Sequence, residues 1–184
     1  GAFGEVQLEG LVRNILPPSA FEFQFSLSNN SRADCVLKLP APTGMVAVDS
    51  KFPMENYHRM FAQDAGEADR AQAQRQFRTD VRKHIDDIAT KYIIAGETSD
   101  GAVMFVPAEV FLNAALDEDP TLLEYGFDKN VVISTPATFV ALLRTVAYTW
   151  KQEALAANAR EVYELGKTLY SRLATMGGRP VPQR

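Results

Sequence analysis

Cysteine and histidine are scarce in this 184-residue chain, which has one of the first and two of the second. The single Cys35 excludes an intramolecular disulfide framework, and His58 and His84 leave little material for a Cys/His zinc site. So little cysteine suits a reducing compartment, and a cytoplasmic location is expected. A long uninterrupted apolar run is also missing. The most apolar stretch, 131–150, contains Pro136, Arg144 and several hydroxyls, which excludes it as a membrane span. No secretory signal is visible, and neither repeats nor low-complexity tracts occur. The opening Gly1-Ala2-Phe3-Gly4-Glu5 has no initiator methionine and reads as part of a longer protein. Basic charge is in deficit, with a formal net charge of −4, so the total does not advertise a nucleic-acid binder. The distribution is uneven, however. Residues 136–184 carry seven basic and three acidic side chains, and a local basic face is all that DNA binding requires.

What is present is enough for one domain with its own core, since 46% of the residues are hydrophobic. Residues 1–176 are expected to form that domain, and 177–184 a loose tail. Leu8, Leu11, Val12 and Ile15 fall at helical spacing, and Pro17-Pro18 stops that helix. Phe21 to Leu27 alternates apolar and polar, and Asn29-Asn30-Ser31 makes a turn. Strands near 34–39 and 45–50 follow, separated by Pro40, Pro42 and Gly44. A short helix is expected at 54–62. A long polar one at 67–92 buries Val81, Ile85, Ile88 and Ala89. A buried strand is expected at 102–106, ended by Pro107, then helices at 108–117 and near 121–125 and a strand at 131–133. Pro136 opens a helix that reaches about Thr175, with a break expected near Trp150. Its second half aligns Leu155, Val162, Leu165, Leu169 and Leu173. The predicted fold class is α/β, a mixed sheet with helices on both faces.

The chemistry concentrates in Val48-Asp49-Ser50-Lys51. Side chains two apart on a strand share a face, so Asp49 and Lys51 point the same way. A second apolar run opens with Asp34. Two carboxylates can hold Mg²⁺ or Mn²⁺ while a lysine orients water or neutralises developing charge, which suits a metal-dependent phosphodiesterase. A strand-end acid with a surface ion pair has the same spacing. Glu5 and Glu9, four apart on the first helix, share a face, and either could supply a third carboxylate; each is equally a solvated helix residue.

The order helix acid, strand acid, strand acid-x-lysine resembles the layout of the PD-(D/E)xK nucleases. The wider sequence resembles the RmuC family of bacterial DNA recombination proteins. The resemblance runs through residues 1–9, 33–36 and 48–53, then through 84–93 (His84 to Ile93), Met104-Phe105-Val106-Pro107-Ala108-Glu109 and 134–146. It implies a nuclease-like core, a role in DNA recombination or repair with DNA as partner, and no small-molecule cofactor. It also implies an upstream membrane-anchored coiled coil able to oligomerise. By position Glu5, Asp34, Asp49 and Lys51 would be the catalytic set. Asp34 and Asp49 would hold the metal, Glu5 would reach it through water, and the backbone carbonyl after Asp49 would be a further ligand. Ala33 stands where the motif name has proline, which sets a bend and supplies no ligand.

Other residues are read with two outcomes each. Arg75, Arg78 and Arg82 form a basic stripe that could track phosphates, or a salt-bridged face with Asp80, Asp86 and Asp87. Arg144, Lys151, Arg160, Lys167 and Arg172 make the last helix basic, as a DNA contact or a plain surface. Glu109 opens a helix where it favours the dipole, or it approaches the acid cleft. His58 and His84 have no partners suggesting a nucleophilic triad. Cys35 and Trp150 are expected in the core. The function read is metal-dependent DNA hydrolysis; the alternative is a DNA-end or junction-binding module of the same fold.

Overall fold

The structure, a computed structural model, describes residues 2–178. Helix α1 (Ala2–Ile15) leads into strands β1 (Phe21–Ser26), β2 (Arg32–Lys38) and β3 (Met45–Asp49). Helices α2 (Glu55–Met60) and α3 (Glu67–Tyr92) precede β4 (Thr98–Phe105). Then come α4 (Glu109–Glu118), α5 (Leu122–Asp128), β5 (Val131–Ser134) and α6 (Pro136–Met176). The sheet order is β1-β2-β3-β4-β5, antiparallel across the first three strands and parallel from β3 to β5. The expected mixed sheet with helices on both faces is therefore present.

Short turns account for the antiparallel part. Asn30 adopts a φ of 65° between β1 and β2, and Gly44 a φ of 76° between β2 and β3, where a glycine carries no steric penalty. The parallel part needs helical crossovers, and α3 and the α4–α5 pair supply them. Strand alternation then sorts the core. Val36, Ala47, Ala102 and Met104 lie against the stripe Ala73, Phe77, Val81, Ile85, Ile88 and Tyr92 of α3. On the opposite face, Phe105 meets Phe139 of α6 edge to face at 5.2 Å. The Cys35 thiol on that face feels the Glu9 carboxylate of α1. Strand β4 begins at Thr98, earlier than its apolar run, because Thr98 pairs with Met45 of β3.

The chain divides into two compact units, Gly1–Ala147 and Tyr148–Arg184. In the first, α6 buries Phe139, Leu143 and Val146. In the second, the aligned Leu155, Val162, Leu165, Leu169 and Leu173 are exposed. The expected break near Trp150 does not occur, since no glycine or proline falls between 137 and 165. Trp150 is also not a core residue. It is half-buried, four residues past Val146, the last buried residue of α6. Of the expected tail, Gly177 and Gly178 cap the helix through backbone bonds to Leu173 and Thr175. Residues 179–184 lie outside the described residues.

Candidate active site at the ends of β2 and β3

Antiparallel pairing carries the two strand acids together. Cys35 lies opposite Val48, and the next step of that register puts Asp34 across from Asp49. Both acids follow Val36 and Ala47 onto the α3 face, and both are buried, at 7% and 4% exposure. The backbone after β3 folds around them. Ser50 donates its N–H and its hydroxyl to Asp34 Oδ2, each at 2.9 Å, and the Lys51 N–H donates to Asp49 Oδ1 at 2.9 Å. Lys51 itself is exposed. Two buried carboxyl groups with one exposed lysine thus converge at the C-terminal end of a parallel strand, the end where α/β sheets bind ligands.

Helix α3 adds two residues that the motif reading did not place here. His84 Nε2 lies 3.9 Å from Asp49 Oδ1, too far for a hydrogen bond, and is buried with no hydrogen-bond partner. The Tyr92 hydroxyl donates to the Arg32 carbonyl at 3.1 Å. Burial pushes its acidity weaker, and Asp49 and Asp34 push it the same way. A sequence signal for both existed. His84 is three residues after Val81 and four before Ile88, inside the apolar stripe, and Tyr92 ends that stripe.

Burial dominates the electrostatics. It raises the Asp49 carboxyl above its usual range, opposed by the Lys51 N–H and His84 and reinforced by Asp34. It also lowers the His84 imidazole, opposed by Asp49 and by hydrogen bonding with the Lys51 backbone, so the neutral ring is favoured. Cys35 is pushed up to about 12 by burial, then Asp34 and Glu9. That thiol stays protonated and packs as a small apolar residue, as expected.

Two cavities flank the segment. One, of about 240 Å³, is lined by Lys51, Phe52, Pro53, Asp80, Lys83, His84 and Asp87. The other, of about 260 Å³, is lined by Phe3, Gly4, Ser50, Phe52, Met54, Pro107 and Phe111. A larger one, of about 540 Å³, lies away from the acids around Pro42–Gly44 and Gly96–Asp100. Its Glu97 is already committed to the Ser28 N–H and hydroxyl.

Helix α1 reaches the segment through Gly4, where an added Cβ would stand 3.0 Å from the Ser50 carbonyl oxygen. That carbonyl, expected as a metal ligand, is therefore turned to α1. Glu5 is the half-buried neighbour of Gly4, whereas Glu9 is exposed and paired with Arg13 at 2.9 Å. Among the described residues, no three His, Cys, Asp or Glu side chains gather to hold a metal ion. Glu109 sits in the first turn of α4 and accepts a hydrogen bond from the Thr135 hydroxyl. On the basic stripe, Arg75 is exposed and Arg78 reaches the Glu118 carbonyl at 3.5 Å. Arg82 grips Asp119 with two bonds of 2.6 and 3.0 Å. Arg144 is exposed on α6.

No solved structure matches this chain. Among curated proteins it is 37% identical over 182 residues to a DNA recombination protein RmuC homolog of Zymomonas mobilis, covering 95% of this chain and 40% of that one. A homolog of the same description from Chlamydia trachomatis is 34% identical over 179 residues, covering 94% and 40%. The DNA recombination protein RmuC of Escherichia coli is 28% identical over 183 residues, covering 94% and 38%. The chain thus spans about 40% of the length of these relatives. The RmuC family model matches residues 1–180, nearly everything described above, and the chain belongs to the RmuC family.

Proposed function

We propose that this chain acts on DNA in recombination or repair and hydrolyses phosphodiester bonds with Mg²⁺ or Mn²⁺. The observation that carries the reading is the buried pair Asp34 and Asp49 beside exposed Lys51. Buried like charges oppose each other, and burial, reinforced by Asp34, raises the Asp49 carboxyl above its usual range. A divalent cation relieves that cost. Mg²⁺ is commonly bound through one or two carboxylates plus substrate phosphates, so these two residues fit it. Asp34 and Asp49 would hold the ion, and Glu5, next to Gly4 at the same segment, would take a water-mediated role. When bound, the ion supplies a Lewis acid and a more acidic water at the phosphate.

The remaining work falls to the chain. Ser50 fixes Asp34 through two hydrogen bonds, and the Lys51 N–H fixes Asp49, so both carboxylates are held before substrate arrives. Lys51 stabilises the negative charge that develops on the phosphate and orients the attacking water. His84, half-buried with its neutral form favoured, sets its buried Nε2 3.9 Å from Asp49 Oδ1.

The other reading, a DNA-end or junction-binding module without turnover, is favoured by one observation. Asp34 Oδ2 already accepts two hydrogen bonds, and no third ligand side chain joins the pair among the described residues. Cleavage of end-labelled single- and double-stranded DNA with Mn²⁺ or Mg²⁺ separates the two. Metal-dependent cutting by the parent chain, lost in Asp49→Ala and Lys51→Ala with folding retained, is expected. Cutting that survives Lys51→Ala overturns the assignment. Salt-sensitive DNA binding without cutting transfers support to the binding module.

A further inference from the structure

The cavity on the α1 side of the Asp49–Lys51 segment has no role in the chemistry above. Its walls are the side chains of Phe3, Phe52, Met54, Pro107 and Phe111, with Gly4 and Ser50 at its base. The only hydroxyl there, Ser50 Oγ, is committed to Asp34. Phe3 is 71% exposed although it sits on a helix whose Leu8 and Val12 side is buried. Phe52 and Phe111 stack at 5.8 Å with ring planes 22° apart, and Tyr57 meets Phe111 edge-on at 5.0 Å. The cavity therefore offers flat aromatic surface backed by an aromatic cluster, and it lacks side chains that could read a hydrogen-bonding edge.

Its neighbour carries two exposed lysines. Phe52 also lines the cleft that holds Lys51, Lys83 and His84. Of the two acids in that cleft, Asp80 accepts from Asn56 at 2.7 Å and from Gln76 at 2.8 Å, and Asp87 is half-buried. A cleft with two exposed lysines and an apolar aromatic site thus share one wall and one chain segment, as a nucleotide's phosphate and base would require. We propose that the Phe3–Phe52–Phe111 cavity is a nucleobase subsite, and that it directs single-stranded or unpaired DNA to the Asp49–Lys51 segment. The proposal rests on the DNA-acting reading above. A base inside a duplex is stacked on both faces and cannot lie against Phe111 or Phe3, whereas an unpaired base can. Because every base has a π-face and the cavity offers no free polar side chain, the subsite is tolerant of sequence.

The test measures binding of the 184-residue chain to a fluorescent thymidine-rich single strand and to a blunt duplex, in EDTA so that nothing is cut. A single strand carrying 2-aminopurine reports stacking directly. The parent chain is expected to bind the single strand tighter than the duplex and to quench 2-aminopurine. Phe3→Ala changes an exposed side chain, so folding is unaffected. It should weaken single-strand binding about tenfold, within the range for loss of one base–aromatic stack, and leave duplex binding unchanged. Phe111→Leu keeps an apolar filler and loses the flat face, and should abolish the quench. Unchanged single-strand binding in both variants overturns the subsite, as does an equal loss for duplex and single strand. An apolar side chain of a protein partner as the true occupant predicts the first of those results. Cleavage that needs Lys51 but ignores Phe3 and Phe111 leaves the nuclease reading standing and removes the subsite. Phe-dependent binding without cleavage does the reverse.

Discussion

Asp49 and Asp119 are buried to the same degree, at 4% and 5% exposure, yet they are held in opposite ways. Asp119 meets the fork of Arg82 in two hydrogen bonds and a third partner, the Thr121 hydroxyl, at 3.3 Å. Arg82 holds its carboxyl below the usual range. Asp49 has a neutral imidazole at 3.9 Å, another carboxylate opposite and one backbone N–H. Burial raises its carboxyl instead. The lesson is that burial alone does not mark a functional acid. A buried carboxylate with a built-in cation is structure, and one without is a place where a cation can be added.

The comparison is broken most completely by a metal. Mn²⁺ at about a hundred times its Kd should stabilise the parent chain by about 2.7 kcal/mol, a rise of several degrees in Tm. Asp49→Asn should abolish that rise, and Asp119→Asn should leave it intact; thermal scans with and without Mn²⁺ decide. Equal metal stabilisation in Asp49→Asn would remove the metal site. In the absence of metal the order reverses. Asp119→Asn should cost about 1–2 kcal/mol in urea unfolding, discounted because the Arg82 side chain is 38% exposed. Asp49→Asn should be neutral or slightly stabilising, since it removes a buried charge facing Asp34.

The smallest effect is on the slope of stability against pH, and its sign separates the two acids. The folded-state value of Asp119 lies below 3.8, so its contribution is present above 3.8 and is lost as pH falls through the lower folded value. That of Asp49 lies above 3.8, so its contribution is present below 3.8 and is lost as pH rises through the higher folded value. Subtracting the pH profile of each Asn variant from that of the parent should give a rising difference for Asp119 and a falling one for Asp49. Two differences of the same sign would mean that both acids are compensated alike.

Much of this was legible before any coordinates. The apolar stripe of α3 gave its buried face, and its observed bounds, Glu67–Tyr92, are those the pattern predicts. Alternation and turn residues gave β1 to β3, and Asp49-Ser50-Lys51 marked the segment where the two strand acids are buried. Arg82 was less legible. Spacing put it on a basic stripe, but its partner Asp119 is 37 residues away across α4, and no local rule pairs them. His84 and Tyr92 were hidden by the same stripe that exposed α3, because a polar residue within an apolar face names no partner. The aligned leucines of α6 read as a buried side, and the structure leaves them exposed, since amphipathic spacing specifies a face without specifying what covers it.

The sequence by itself determined the elements, the periodicity of their faces and the identity of the charged residues at strand ends, because these depend on backbone sterics and on neighbours within one turn or one pleat. Only the tertiary structure decided which carboxylate meets which charge. The β2–β3 register sets Asp34 against Asp49, the packing of α3 brings His84 to them, and the α3–α5 side gives Asp119 its arginine. Ionisation of a buried group depends on what lies within a few ångströms in space, and that neighbourhood is assembled from residues far apart in the chain.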